Sequence, residues 1–111
     1  MIARIWRGRV RNGLLEEYRA YIQSTGLRDY AQTPGNCGAY MLTAQHATHG
    51  EVITVSFWNS YDDIERFAGV PLDRARYYPE DKRFLLEFPE QVEHYDVTLA
   101  DTTLLSTGSP A

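Results

Sequence analysis

The chain has almost no cysteine, no surplus of positive charge and no long apolar run, and each shortage removes a class of function. Cys37 is alone among 111 residues. Neither an intrachain disulfide nor a zinc site built on two or more thiolates is available, and a reducing compartment is expected. Eleven basic residues against fifteen acidic ones leave a formal charge of −4. No cation excess exists to neutralise a phosphate backbone or an anionic membrane surface, which argues against nucleic-acid and membrane partners. No stretch approaches the roughly eighteen apolar residues of a membrane span. Met1-Ile2-Ala3-Arg4-Ile5-Trp6 passes directly into strand-like sequence without a leader pattern, so a cytoplasmic protein is expected. His46 and His49, near Glu51, form a poor ligand set, and no metal site is expected.

What the chain does have is apolar and aromatic residues. Hydrophobic content is 43%, and 8 Tyr, 4 Phe and 2 Trp are generous for one small domain. A chain of this length buries roughly two thirds of its surface on folding, enough for a single core. No internal repeat, low-complexity tract or linker interrupts it. One domain over residues 1–100 and a polar tail over 101–111 are expected.

Residues 2–10 alternate as a strand, with Ile2, Trp6 and Val10 on one side and Ala3, Ile5 and Arg7 on the other. Asn12-Gly13 ends it. Leu14, Leu15, Tyr18, Tyr21 and Ile22 recur at helical spacing, with Glu16 and Glu17 in the first turn and Gly26 as the stop; residues 27–30 form a second short helical piece. Residues 38–47 and 51–59 read as two strands joined by a short loop at Thr48-His49-Gly50. Ser60, with Asp63 three residues on, caps a helix that buries Ile64, Phe67 and Ala68 and ends near Gly69. Residues 72–78 allow another helical turn or two, residues 81–88 are ambiguous, and the last strand covers 92–99. The order strand, helix, strand, strand, helix, strand is the ferredoxin-like α+β unit: a four-stranded antiparallel sheet with helices on one face.

Ile5 and Trp6, Tyr40 and Met41, and Phe57 and Trp58 are neighbours in sequence, so each pair sends one large side chain to each face of its strand. Leaving several such groups in water forfeits roughly 1.5–3 kcal/mol apiece. The chain has no spare helices for the second face, and the cover expected is a second copy packed sheet to sheet. His94, in the last strand, projects a titratable imidazole toward aromatic surroundings shortly after Arg74-Ala75-Arg76-Tyr77-Tyr78, as a small-molecule pocket requires. The competing reading of His94 is a histidine satisfied by backbone or by an acid.

Met1-Ile2-Ala3-Arg4-Ile5-Trp6, the turn from Tyr30 to Tyr40, Ser56-Phe57-Trp58-Asn59-Ser60 with Ile64 and Phe67, and Val92-Glu93-His94-Tyr95 together resemble the antibiotic biosynthesis monooxygenase family, a branch of the dimeric α/β-barrel superfamily. The resemblance covers about residues 1–99. It implies a homodimer of ferredoxin-like units with a pocket between sheet and helices in each subunit. Members include haem-degrading enzymes, whose pattern this chain departs from: Phe67 stands where a tryptophan is expected, Tyr77 or Tyr78 where the axial histidine is expected, and no asparagine lies between Met1 and Val10.

The other reading is a cofactor-free oxygenase that oxidises an aromatic or polyketide-like substrate with dioxygen, using no flavin, haem or metal. Such an enzyme needs a dry aromatic cavity, a base and donors for the resulting oxyanion. By residue type and position, His94 is the expected base and Arg76 and Tyr78 the expected donors. Trp6, Tyr40, Trp58, Phe67 and Tyr77 are the expected lining. The alternative is a non-redox protein that binds, isomerises or cyclises a hydrophobic metabolite in the same pocket; a third reading is haem binding or degradation, with a tyrosinate at Tyr77 or Tyr78 as the ligand.

Overall fold

The computed structural model describes residues 1–101; the expected tail, apart from Asp101, lies outside the described residues. The elements are β1 (Ile2–Arg11), α1 (Leu15–Ser24), α2 (Gly26–Gln32), β2 (Asn36–Gln45), β3 (His49–Trp58), α3 (Tyr61–Ala68), α4 (Asp81–Phe84) and β4 (Glu93–Asp96). The strands form one sheet in the order β2-β3-β1-β4, and every pairing is antiparallel. This is the α+β ferredoxin-like arrangement that the element order predicts. No helix among the described residues is long and apolar enough to cross a membrane.

Strand register decides what each face carries, because a strand turns successive side chains to opposite sides. Trp6 pairs with Thr54, Arg4 with Ser56 and His94, and Met41 with Thr54, so these residues share the face under the helices. Ile5, Val55 and Tyr40 pair across the other face.

Two aromatic clusters fill the covered side. Trp6, Val10, Tyr18, Ile22, Val52, Phe84 and Leu85 pack beneath α1 and α4. Ile2, Tyr30, Trp58, Ile64 and Phe67 pack beneath α2 and α3. The Trp6 indole lies across Gly8, where a Cβ would stand 2.2 Å from the ring. Only glycine leaves that space open.

Local chemistry explains the element ends. Ser60 Oγ accepts from the Asp63 N–H at 3.3 Å and its hydroxyl donates to the Asp63 carboxylate at 2.9 Å, fixing the start of α3 as the cap pattern predicts. Gly69, at φ 77°, ends it. Gly50 belongs to β3 rather than to the hairpin loop: it pairs with Val10, and a Cβ there would meet the Leu15 side chain at 3.0 Å.

Three further sequence expectations differ from the structure. Residues 72–78 form no helix, because their backbone is used across the chain: Ala75 N–H donates to Glu90 O at 2.8 Å and Asp73 O accepts from Val92 N–H at 2.7 Å. Residues 81–88 resolve into the one-turn α4 followed by an extended stretch in which Leu85 bridges Val10. The last strand stops at Asp96 instead of 99, because its partner β1 runs out; Val97 N–H already reaches Met1 O at 3.0 Å.

Candidate functional site

A cavity of about 40 Å³ lies at the seam of the two aromatic clusters, between the sheet and the segment leading into α4. The sheet contributes Arg4, Trp6 and Thr54; α1 and α2 contribute Tyr18, Ile22, Gly26 and Tyr30; α3 contributes Phe67. Arg76, Tyr77, Tyr78 and Asp81 close the remaining side. This volume holds a few water molecules, so an occupant must be compact or must displace a wall. Arg76, whose side chain is 40% exposed, is the wall nearest solvent.

Two ionisable groups in this cavity are buried without an ion pair among the described residues. Arg4 is 3% exposed. Its Nη1 donates to Leu72 O at 2.5 Å and to His94 Nε2 at 3.0 Å, and its Nη2 donates to Arg74 O at 2.9 Å. All three partners are neutral acceptors; Asp73 is the carboxylate that acts on the guanidinium, from beyond ion-pair distance, and it offsets only part of the cost of burial. Burial accordingly lowers its pKa.

Asp81 is 2% exposed. One carboxylate oxygen, Oδ2, accepts from the Tyr78 N–H at 2.6 Å, and the other, Oδ1, is buried with no hydrogen-bond partner. Desolvation raises its pKa, and no cation is among the causes of the shift. Tyr18, packed beside it, makes no hydrogen bond through its hydroxyl among the described residues; burial first, and then the Asp81 charge, push its pKa upward.

The residues expected from the sequence separate into three groups. Arg76, Tyr78, Trp6, Phe67 and Tyr77 are brought together on the cavity wall. Arg76 lies 4.8 Å from the Phe67 ring centre and 5.2 Å from that of Tyr78; it donates to Phe67 O at 3.0 Å and pairs with Asp29 at 3.3 Å. Tyr78 donates its hydroxyl to the same Asp29 carboxylate at 2.6 Å. Trp6 Nε1 donates to the Tyr77 hydroxyl at 3.1 Å, and that hydroxyl donates to Pro89 O.

Trp58 faces the helices but belongs to the second cluster, with its Nε1 on Ser56 Oγ at 2.9 Å, and does not line the cavity. Tyr40 is on the opposite face of the sheet, against Phe57. His94 points to the helix side but stands behind Arg4 instead of on the cavity wall. Arginine only donates, so His94 Nε2 is the acceptor and the ring proton sits on Nδ1. Desolvation first, and then the Arg4 charge, lower the His94 pKa.

Sequence reasoning missed Arg4, Asp81 and Tyr18. Arg4 had a legible signal: a charged side chain at an even, inward position of β1, between Ile2 and Trp6. Asp81 had none, since nothing periodic surrounds it.

The cavity thus sets aromatic walls, a fixed cation and a carboxylate oxygen without a donor side by side, the group types that proton transfer with a compact polar molecule uses. The cavity does not fit haem on a tyrosinate: both Tyr77 and Tyr78 have committed hydroxyls and raised pKa values. Among the described residues no group of three or more His, Cys, Asp or Glu is placed to hold a metal ion. No protein-family model matches the chain, and no curated protein matches it.

Proposed function

We propose that the chain is an enzyme of compact phenolic or enolisable molecules, which ionise in the cavity beneath the helices and are then oxidised by dioxygen. The single observation that carries this reading is Arg4, a buried guanidinium with three neutral hydrogen-bond partners and, among the described residues, no carboxylate within ion-pair distance. A buried cation without a counter-ion is costly, and an anion formed on a bound substrate relieves that cost. Arg76 adds a second cation at the outer wall.

In the oxidation, a CH₂ group of the substrate loses a proton, the carbanion passes its electrons to dioxygen, and a C=O bond forms with release of water. The substrate is its own electron source. The cavity's small volume favours a second reading, in which the same anion is reprotonated elsewhere and the reaction is an isomerisation.

A second copy is proposed as the cover of the open sheet face, where Tyr40 is 42% and Leu42 50% exposed beside Ile53, Val55 and Phe57. The cytoplasm is the proposed compartment, because it keeps the exposed Cys37 reduced.

The test is a screen of single-ring phenols and enolisable ketones, read by quenching of Trp6 fluorescence and by an oxygen electrode. Saturable quenching with oxygen uptake, both lost in Arg4→Met, supports oxidation. Quenching with substrate isomerised and no oxygen consumed supports the second reading. Wild-type affinity retained by Arg4→Met sinks both.

A further inference from the structure

One Asp81 oxygen, Oδ2, holds the turn into α4 through the Tyr78 N–H, but the other, Oδ1, has no role in the fold that the geometry explains. A 2% exposed carboxylate with a bare oxygen is a liability in a core, since a buried unpartnered polar atom is rare and destabilising. We infer that Asp81 is the proton acceptor of the cavity, its free Oδ1 receiving the proton that the substrate gives up. This rests on the reading that substrate ionises in the cavity.

The geometry fits the task. Oδ2 is fixed by the Tyr78 N–H, which orients the carboxylate and leaves Oδ1 free to act. His94, the other base in the region, spends Nε2 on Arg4 and stands off the cavity wall. The Asp29 carboxylate already takes the Tyr78 hydroxyl and pairs with Arg76.

The step balances in atoms and charge. An O–H or C–H bond of the substrate breaks, its electron pair stays on the substrate, and an O–H bond forms on Asp81. The negative charge thereby leaves a carboxylate that has no cation and passes to a molecule that shares the cavity with Arg4. The groups that face Asp81 are Tyr18 and Tyr21 from α1 and Tyr77 from the adjoining segment; Glu80, Lys82 and Arg83 are its neighbours in sequence. The tyrosines are neutral at working pH, with pKa values raised by burial, so none competes for the proton. Burial also raises the pKa of Asp81 itself, bringing its basicity closer to that of a phenol.

The experiment uses the full chain and 4-nitrophenol, whose anion is coloured, at a mildly acid pH where the free compound is the colourless phenol. Wild-type protein is expected to bind it as the coloured anion without releasing a proton to the buffer. An infrared band of a protonated carboxylic acid is expected to appear on binding. Asp81→Asn is expected to bind it colourless, with at least a tenfold smaller anion fraction. An anion bound with its proton released to buffer, no carboxylic-acid band in wild type, or full colour in Asp81→Asn would each overturn the role of Asp81 and leave the site reading standing. Failure of wild type to bind 4-nitrophenol removes the site reading and the role together. The infrared measurement needs no variant, so the inference stays testable if Asp81→Asn does not fold.

Discussion

The two faces of the sheet come from the same strands and differ by one position of register, yet they carry opposite kinds of charge. On the open face cations have acidic partners: Arg7 pairs with Glu93 at 3.1 Å, Arg9 with Glu87, and His46 with Glu51 at 2.9 Å. These are exposed pairs, each worth little. On the covered face, where an uncompensated charge is most destabilising, Arg4 donates only to neutral acceptors, Asp81 keeps one oxygen without a donor, and neither is in an ion pair among the described residues. Folding alone has no use for that distribution. It places the unsatisfied chemistry beneath the helices, and leaves the open face apolar in its middle and neutralised around it.

The comparison breaks first on packing. Trp58→Ala removes a fully buried indole and is expected to destabilise by about 3–5 kcal/mol, read as a fall in the urea midpoint. Phe57→Ala, one residue away on the open face, is expected to cost less than about 1 kcal/mol at concentrations where the chain is monomeric. Equal losses would mean that both faces are buried within a single folded chain.

Arg4→Met sharpens the contrast in charge. Losing the buried guanidinium is expected to weaken binding of a phenolate ligand by about 2–3 kcal/mol, a factor of roughly 30–150. Arg7→Met on the open face should leave binding unchanged. A smaller effect is expected from Phe57→Asp, which puts a carboxylate in the apolar middle of the open face. It should weaken self-association at least about tenfold, near 1.4 kcal/mol, in sedimentation equilibrium. A wild-type chain that sediments as a monomer at every concentration would leave that face without the partner proposed for it.

How much of this was legible depended on periodicity. β1, α1, β3 and α3 follow from alternation, helical spacing and the Ser60 cap, which are local signals that tertiary contacts leave intact. The segment 72–91 defeated the reading because its conformation is set by bridges such as Arg74 to Gln91 and Val10 to Leu85, and no local pattern encodes them. The site divides the same way. Trp6 and Phe67 lie in periodic elements and were found, whereas Asp81 is placed by the irregular segment. His94 was assigned the inward face of β4, where it stands, but the residue between it and the cavity, Arg4, is its partner across the sheet; a contact 90 residues apart in sequence is visible only in three dimensions.

The smallest expected effect concerns the pH dependence of stability, and its sign separates His94 from Asp81. His94 has a folded pKa below its ordinary value. Between the two values the unfolded chain holds the proton and the folded chain does not, so His94 lowers stability as pH falls through that window. Asp81 has a folded pKa above its ordinary value; there the folded chain holds the extra proton, and stability falls as pH rises through the window. His94→Gln should therefore flatten the acid-side decline by well under about 1 kcal/mol, since the imidazole is only half-buried. Asp81→Asn should flatten the decline on the other side and raise stability at neutral pH, where the wild-type carboxylate is ionised without a cation. Thermal melts of both variants across the mildly acid range read the two slopes independently. If Asp81→Asn were instead less stable than wild type at neutral pH, the bond from the Tyr78 N–H would outweigh the cost of burying the charge, and the covered face would no longer differ from the open one in the way its charges are compensated.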